Sequence, residues 1–453
     1  MIISKSASDY KKMLDKIFKL KENNTTVKQE TVAGITTFAT LSYIIFVQPA
    51  VLSAAGMDHG AAMVATCLAS AIGMLLMAFL ANYPIALAPA MGHNIYFTYV
   101  VCLTLGVVWQ EALGAVFIAG LIFIALSLTG LREKVMDVLP DPLRNGIPVG
   151  IGLLIALIGF EWSGIITSHP VTYVTIGNLH SVHTLISIFG LILIAFLLAI
   201  KFRGAILAGI VGSAVLGLIL GVVQYQGIVS SPPSIDPTFL KLQIPNLFSN
   251  LEFITVIIVF LFLDMFDTIG TLIGVGQLGG FMKNGKLPKA KQALLSDAIA
   301  TSSGALLGTS TVTSYIESSS GISAGGRTGL TNVVTALLMV SAIFFTPLIQ
   351  MVGAGIAVGE GKFLYPIIAP ALIIVGSMMM KNVININWDD YTESIPTFLT
   401  MIIMPLSFSI TEGIAFGFIS YSLLKIFSGK AKEVNWIIYL ISLLFIARYI
   451  WLV

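Results

Sequence analysis

Apolar segments long enough to cross a lipid bilayer follow one another through almost the whole chain. Of its 453 residues, 57% are hydrophobic and 10% are charged, whereas roughly 25% of the residues in a soluble domain are charged. The apolar runs are unbroken rather than alternating, which argues against a β-barrel. The sequence therefore predicts an all-α polytopic membrane protein embedded in a lipid bilayer.

The apolar runs divide into two halves of seven segments each. The first seven cover about 31–55, 62–82, 84–100, 107–131, 147–167, 182–200 and 204–224. After a polar connector at 225–250, the next seven cover about 251–277, 292–308, 309–329, 331–354, 364–380, 393–409 and 411–427. A run at 434–453 is predicted to be an extra C-terminal segment, with an interfacial helix as the alternative.

The positions of lysine and arginine predict a cytoplasmic N-terminus. Residues 1–30 form a lysine-rich tail, in which apolar residues near helical spacing predict an amphipathic helix on the membrane surface. With the N-terminus inside, all 24 basic residues except Lys241, Lys362 and Arg448 fall in or next to the cytoplasmic tail and loops. Because short cytoplasmic loops are enriched in basic residues, we expect a multi-pass protein of the cell inner (plasma) membrane.

Seven segments per half is an odd number, so the second half must cross the membrane in the opposite direction to the first. Segments 3 and 10 occupy matching positions in the two halves, and proline, glycine, serine and threonine interrupt both. Interrupted segments at matching positions are the best sequence indication of a transporter's binding site. The predicted fold is therefore a 7+7 inverted-repeat transporter fold with discontinuous segments 3 and 10.

Three carboxylates lie within interrupted or apolar runs of the second half. Asp264 and Asp267 are three residues apart in the stretch Phe260–Gly274, so a helix places both on one face. Glu317 lies in segment 10 within a run of serine and threonine. Charged groups at membrane depth are costly and usually mark a substrate or proton pathway. We expect these acids to face a polar cavity that binds a small polar solute together with a proton.

Other side chains near the two interruptions are weaker candidates. Asn94 follows the break at Pro89 and could bond the edge of a heterocycle, whereas a single histidine such as His93 is more often a packed residue. Phe266 and Tyr315 are candidate stacking surfaces for a planar solute, although packing is the commoner role of any one aromatic residue. The hydroxyls near Glu317, including Ser318, can satisfy backbone groups that a broken helix frees.

Several functional classes find no support in the sequence. A formal net charge of +2 gives no bulk basicity for binding nucleic acid, and the two cysteines lie in apolar runs without metal-ligand spacing. Phosphate-binding and dinucleotide-binding loops are also absent from the sequence. We therefore expect no enzyme activity, no metal and no cofactor other than a proton as the coupling ion, with sodium left open.

Four motifs carry a resemblance to a known family. Together they cover Gly34–Pro49, Ala88–Tyr99, Asp264–Leu272 and Thr313–Ile322. In this order they resemble the AzgA-like purine permease branch of the nucleobase–ascorbate (nucleobase:cation symporter 2) transporter family. The similarity extends from about residue 25 to the C-terminus.

The resemblance implies a domain division and a function. It implies a core domain at 31–131 and 251–354, and a gate domain at 147–224 and 364–427 that carries the contacts of a homodimer. It also implies proton-coupled uptake of purine nucleobases (adenine, guanine and hypoxanthine) by an elevator-type alternating-access mechanism.

The resemblance assigns roles to individual residues. The substrate-binding acids fall on Asp267 and Glu317, and the segment 3 asparagine falls on Asn94; Phe266, Tyr315 and Ser318 flank these motif positions. The candidates for proton coupling are Asp267, Glu317 and Asp264. Two departures from the family pattern, Ala90 and His93, are candidate modulators of purine preference or proton coupling.

Two alternatives remain at this point. The same architecture hosts anion transporters and exchangers, in which half-helix N-termini hold the anion. The three acids, which have no basic residue nearby in sequence, argue against an anion. A channel is the other alternative, and saturable uptake would distinguish a transporter from it.

Overall fold

The computed structural model describes residues 12–129, 140–244, 251–283, 286–353, 355–359 and 362–451. Its helices begin and end close to the predicted apolar segments, which confirms the all-α polytopic fold. Within the described residues, eight helices are long and apolar enough to cross a membrane, and three shorter ones are apolar.

The secondary structure follows the two predicted halves. The helices of the first half are α1 (12–18), α2 (Val27–Leu41), α3 (Ile44–Ala54), α4 (His59–Leu76), α5 (Met91–Ile95), α6 (Trp109–Thr129), α7 (Asp141–Trp162), α8 (Val182–Ala199) and α9 (Ala205–Ile219). Those of the second half are α10 (Leu251–Leu278), α11 (Ala290–Leu307), α12 (Ser318–Ser323), α13 (Leu330–Ala342), α14 (Thr346–Gly353), α15 (Ala369–Met379), α16 (Tyr391–Ser407), α17 (Ile410–Phe427) and α18 (Trp436–Trp451).

Short elements join or extend these helices. The antiparallel strand pairs are β1 (Leu87–Pro89) with β4 (Val312–Ser314), β2 (Ile166–His169) with β3 (Tyr173–Ile176), and β5 (Ile356–Gly359) with β6 (Lys362–Leu364). Wider π-helical turns extend α4 over Met77–Ala81 and α5 over Tyr96–Thr104, and 3₁₀ turns cover Ile343–Phe345, Met380–Asn385 and Ala431–Glu433.

The chain packs as two compact units. One comprises Met1–Gly130 with Ile192–Gly355, and the other comprises Leu131–Leu191 with Ile356–Val453. Helix α9 falls in the first unit, where it packs against α2. Whether α9 moves with the gate domain, as the resemblance implies, stays a prediction.

Predicted segments 3 and 10 are both discontinuous, each consisting of an extended strand followed by a helix. Strand β1 precedes α5, strand β4 precedes α12, and the two strands pair with each other. Two further backbone bonds extend the pairing: Ala90 N–H donates to Thr311 O, and Tyr315 N–H donates to Ala86 O, both at 2.9 Å. The strands thereby satisfy the backbone groups that each break frees at membrane depth.

Helix α2 fixes the start of α13 through one buried carboxylate. Glu30 is fully buried and accepts the backbone N–H groups of Arg327 at 2.9 Å, Thr328 at 3.2 Å and Thr331 at 3.2 Å. It also accepts the Thr331 hydroxyl at 2.6 Å. These N–H groups lack partners within α13, so Glu30 supplies the anionic cap that a helix start favours.

The described part of the N-terminal tail packs against helices of the first unit. Phe18, at the end of α1, is 3% exposed and packs in a cluster with Leu20, Ala78 and Leu330. The Asn82 side chain donates to Phe18 O at 2.9 Å and accepts from Gly329 N–H at 2.8 Å. The predicted amphipathic helix is therefore docked on the first unit over the described residues 12–18; residues 1–11 lie outside the described part of the chain.

The last apolar run forms α18, which packs antiparallel along α17. Ser442 Oγ lies 2.7 Å from Ser422 Oγ, and Arg448 donates to Glu412 at 2.7 Å. Since Glu412 lies in the first turn of α17 and Ser422 lies toward its end, these contacts join most of the two helices. Whether this helix crosses the membrane or lies at its interface stays a prediction.

We predict that Gly321→Ala destabilises the first unit. A Cβ at Gly321 would lie 2.0 Å from Thr37 Oγ1 and 2.8 Å from Ala33 O, so α12 would have to move away from α2. Overpacking of this kind costs about 1–3 kcal/mol. In a Cys102→Ser background, labelling of Cys67, which is buried in the same unit, with a thiol-reactive fluorophore during heating should show a lower unfolding midpoint.

Gly274→Ala is the matched control for this prediction. A Cβ at Gly274 on α10 meets its nearest neighbour, Ile316, at 3.9 Å, an ordinary contact distance. Its midpoint should equal or exceed the wild-type value, because alanine favours a helix over glycine by about 1 kcal/mol. Equal midpoints for Gly321→Ala and the wild type would contradict the tight packing of α12 on α2.

Candidate functional site

Asp267 lies on α10 with its side chain partly open to solvent. The side chain is 35% exposed, and Oδ2 accepts a hydrogen bond from Thr313 Oγ1 at 3.2 Å. Thr313 belongs to β4, so the discontinuous segment 10 provides the group that orients the carboxylate. The predicted acid of segment 8 is thus next to the predicted break of segment 10.

Glu317 lies at the turn between β4 and α12 and is also partly exposed. Its carboxylate accepts the Tyr43 hydroxyl at 2.8 Å, and Thr40 Oγ1 approaches Glu317 O at 3.4 Å. Tyr43 lies at the short break between α2 and α3 and is 1% exposed. The sequence analysis did not identify Tyr43 as a site residue, although it lies in the motif Gly34–Pro49.

Asp264, unlike Asp267, is fully buried. Thr268 lies between Asp264 and a second buried acid, Asp297 of α11. Its hydroxyl oxygen is 3.1 Å from Asp264 Oδ1 and 2.7 Å from Asp297 Oδ1. The sequence analysis missed Asp297, although the rule that singled out Asp264, an acid within an apolar segment, applies to it equally.

Asn94 is fully buried and contacts the hydroxyl run of segment 10. Its Oδ1 accepts from Ser310 Oγ, and Gln48 Nε2 of α3 donates to Thr309 Oγ1 at 3.1 Å and Ser310 Oγ at 3.3 Å. Segments 1, 3 and 10 therefore meet in one polar cluster. In this conformation the Asn94 side chain joins the two breaks to each other.

The paired strands β1 and β4, with the residues that flank them, form what we call the strand crossing. Three other predicted site residues belong to it. Ser318 Oγ accepts from Ala86 N–H at 2.9 Å and donates to Tyr315 O at 2.6 Å. The Tyr315 hydroxyl donates to Pro89 O, and its ring is 6% exposed. Ala90 is 2% exposed and directs its N–H to the opposite strand. Phe266 lies within α10, but its side chain lies outside the described part of the structure.

His93 lies in α5 behind Asp267. It is 1% exposed, and its Nδ1 is 4.0 Å from Asp267 Oδ2. This separation exceeds hydrogen-bond length, and neither ring nitrogen has a hydrogen-bond partner among the described residues.

The site as a whole offers carboxylate acceptors at its open side and hydroxyl, amide and backbone groups in its wall. Asp267 and Glu317 are the predicted acids with exposed surface, and they interact electrostatically. In the part of the chain that the structure describes, no group of three or more His, Cys, Asp or Glu is placed to hold a metal ion. The arrangement can bind a small solute that carries N–H groups.

Sequence comparison relates the chain to known permeases. The model of a family described as "Permease family" matches residues 28–438. A permease of Methanocaldococcus jannaschii, whose name states no substrate, is 49% identical and covers 97% of this chain and 99% of its own. Adenine permease AdeP of Escherichia coli is 44% identical (97% and 96% covered), and guanine/hypoxanthine permease PbuG of Bacillus subtilis is 44% identical (96% and 99% covered).

Structural comparison identifies the fold. The transmembrane domain of the cyanobacterial bicarbonate transporter BicA superposes with a TM-score of 0.63, covering 86% of this chain and 97% of that one. Its sequence identity is 16%, so this likeness shows the fold alone. The predicted 7+7 transporter fold is confirmed.

We predict that Thr268→Val destabilises the first unit more than Thr271→Val on the same helix. Valine keeps the shape of threonine but removes the hydroxyl that Asp264 and Asp297 share, and leaving a buried polar group without its partner costs about 1–3 kcal/mol. Thermal unfolding followed by Cys67 labelling provides the measurement. Equal midpoints for the two variants would contradict the bridging role of Thr268.

Proposed function

Since the chain belongs to this permease family, and within it to the nucleobase–ascorbate transporters, we propose that it imports purine nucleobases together with protons. The family membership makes it a multi-pass membrane transporter rather than an enzyme. The purine substrate, the coupling ion and the transport cycle are parts of the proposal.

The observation that carries the proposal is the placement of two partly exposed carboxylates beside the strand crossing. Asp267 is held by Thr313 and Glu317 by Tyr43, while the acids behind them, Asp264 and Asp297, are fully buried. A purine presents a planar edge of N–H donors and ring-nitrogen acceptors. Two oriented carboxylates match the donors, and a site built in this way rejects analogues that would leave its buried polar groups unpaired.

The relatives support purines as a class. An adenine permease and a guanine/hypoxanthine permease are each 44% identical to this chain. We therefore propose purines, rather than one base, as the substrate class.

We propose that the carboxylates of the first unit carry the coupling proton. Asp267 and Glu317 have exposed surface, and ionisable groups at membrane depth usually mark substrate or proton pathways. Asp264 and Asp297, which both lie within hydrogen-bond distance of the Thr268 hydroxyl, are further acids of the same unit.

The cycle that we propose is elevator-type alternating access by a homodimer in the inner (plasma) membrane, with the N-terminus in the cytoplasm. The distribution of basic residues supports this orientation. An anion is the alternative substrate that the same fold can carry. Two partly exposed carboxylates at the site disfavour an anion because like charges repel.

We predict that Asp267→Asn and Glu317→Gln each lower saturable purine uptake by about 100-fold, which is about 2.8 kcal/mol at 1.4 kcal/mol per factor of ten. Each amide replaces an acceptor oxygen with an N–H₂ group that would oppose the N–H groups of the base. The measurement is initial uptake of radiolabelled adenine, guanine and hypoxanthine, with and without a protonophore, in cells that lack their own purine permeases.

Glu161→Gln is the matched control, because Glu161 is exposed at the end of α7 in the other unit. Uptake by this variant should equal that of the wild type. Wild-type uptake of bicarbonate rather than of any purine would refute the proposed substrate class. Purine uptake that survives both site substitutions would refute the assigned residues while leaving the family unchanged.

A further inference from the structure

His93 is a buried polar residue whose hydrogen-bonding capacity is unused in this conformation. Both ring nitrogens lack partners among the described residues, although the side chain is 1% exposed. A neutral imidazole carries one N–H donor and one acceptor nitrogen. Burying such groups without partners is costly, so a histidine here is expected to form a bond in another state of the protein.

The acid nearest to His93 is one of the two proposed substrate-binding carboxylates. Nδ1 is 4.0 Å from Asp267 Oδ2, the same oxygen that accepts from Thr313 Oγ1 at 3.2 Å. A carboxylate oxygen has two lone pairs and can accept both donors. His93 is buried whereas the Asp267 side chain is 35% exposed, so a hydrogen bond from the histidine would reach the carboxylate from the protein interior.

We propose that His93 is a positioning residue for Asp267. When Asp267 is ionised, a movement of about 1 Å would bring Nδ1–H within the usual hydrogen-bond distance of Oδ2. His93 and Thr313 then hold Oδ2 together and leave Oδ1 directed to the N–H edge of the base. The histidine stays neutral throughout; it donates a hydrogen bond and transfers no proton. This inference rests on the proposed purine–proton symport.

The contribution of His93 can be separated from those of the other groups around Asp267. Asp297 on α11, Glu317 after β4 and the tyrosines Tyr43 and Tyr315 are its electrostatic neighbours. In the described structure none of these four makes a hydrogen bond to His93, whose ring nitrogens are unpaired. A substitution of His93 therefore removes one donor that faces Asp267 and leaves the hydrogen bonds of Glu317 and Thr313 in place.

The test uses three substitutions that differ in where they place a donor. Asparagine puts its amide nitrogen near the position of Nδ1, glutamine puts it nearer Nε2, and leucine has no donor. Initial uptake of labelled adenine and hypoxanthine is measured against external pH, and KM is measured at neutral pH. His180→Asn, at an exposed position in the other unit, serves as the control.

Removing the donor at position 93 is expected to raise the pH midpoint of uptake. A donated N–H favours the ionised form of Asp267, so its removal lets the carboxyl keep its proton to higher pH. Uptake by His93→Leu and His93→Gln should persist to higher pH, with a midpoint about one unit above the wild type, which corresponds to a tenfold change in proton affinity. KM for the base should rise about tenfold because Oδ1 is no longer oriented. His93→Asn should resemble the wild type in both respects.

A structural role would give a different pattern. If His93 only fills space, the variants would change the amount of folded protein but not the pH midpoint per molecule, and this result would overturn the proposal. Should His93→Leu fail to fold, the comparison of asparagine with glutamine decides, and equal behaviour of those two would also overturn it. Wild-type protein that takes up none of the three purines would refute the proposed function, and the role of His93 with it.

Discussion

A chain that breaks two helices inside a bilayer must satisfy the freed backbone groups without water. In this protein β1 and β4 do so by bonding to each other, and the Ser318 hydroxyl bonds backbone atoms on both sides of the crossing. The functional site depends on this pairing. Strand β4 sets Thr313 against Asp267, and the turn that follows it sets Glu317 against Tyr43. If the strands did not pair, neither carboxylate would have a fixed position.

Burial separates the acids of the first unit into two sets. Asp267 and Glu317 have exposed surface, whereas Glu30, Asp264 and Asp297 have none. Glu30 accepts backbone N–H groups at a helix start, which is a structural use of a buried charge. Asp264 and Asp297 are buried like Glu30, but both approach the Thr268 hydroxyl rather than a helix start. Position in the fold, rather than residue type, thus determines what each acid can do.

Much of the fold could be predicted from the sequence, because the bilayer constrains segment length and hydropathy so strongly. The interruptions in segments 3 and 10 could also be predicted, because proline, glycine and hydroxyl residues stand out in apolar runs. Contacts between segments could not be predicted. Tyr43 and Glu317 are 274 positions apart, and no periodicity shows that the break between α2 and α3 meets the turn after β4. For the same reason Asp297 was missed. Ser318 and Tyr315 bond backbone atoms of segments 3 and 10, and their contact with the substrate stays a prediction.

The strand crossing also determines whether the two halves of the chain can be separated. Each strand belongs to a different half, and each uses the other half's backbone to complete its hydrogen bonds. A single half inserted in a bilayer would leave its strand unpaired in hydrocarbon. Two halves produced as separate chains would therefore have to assemble before either strand could complete its backbone hydrogen bonds.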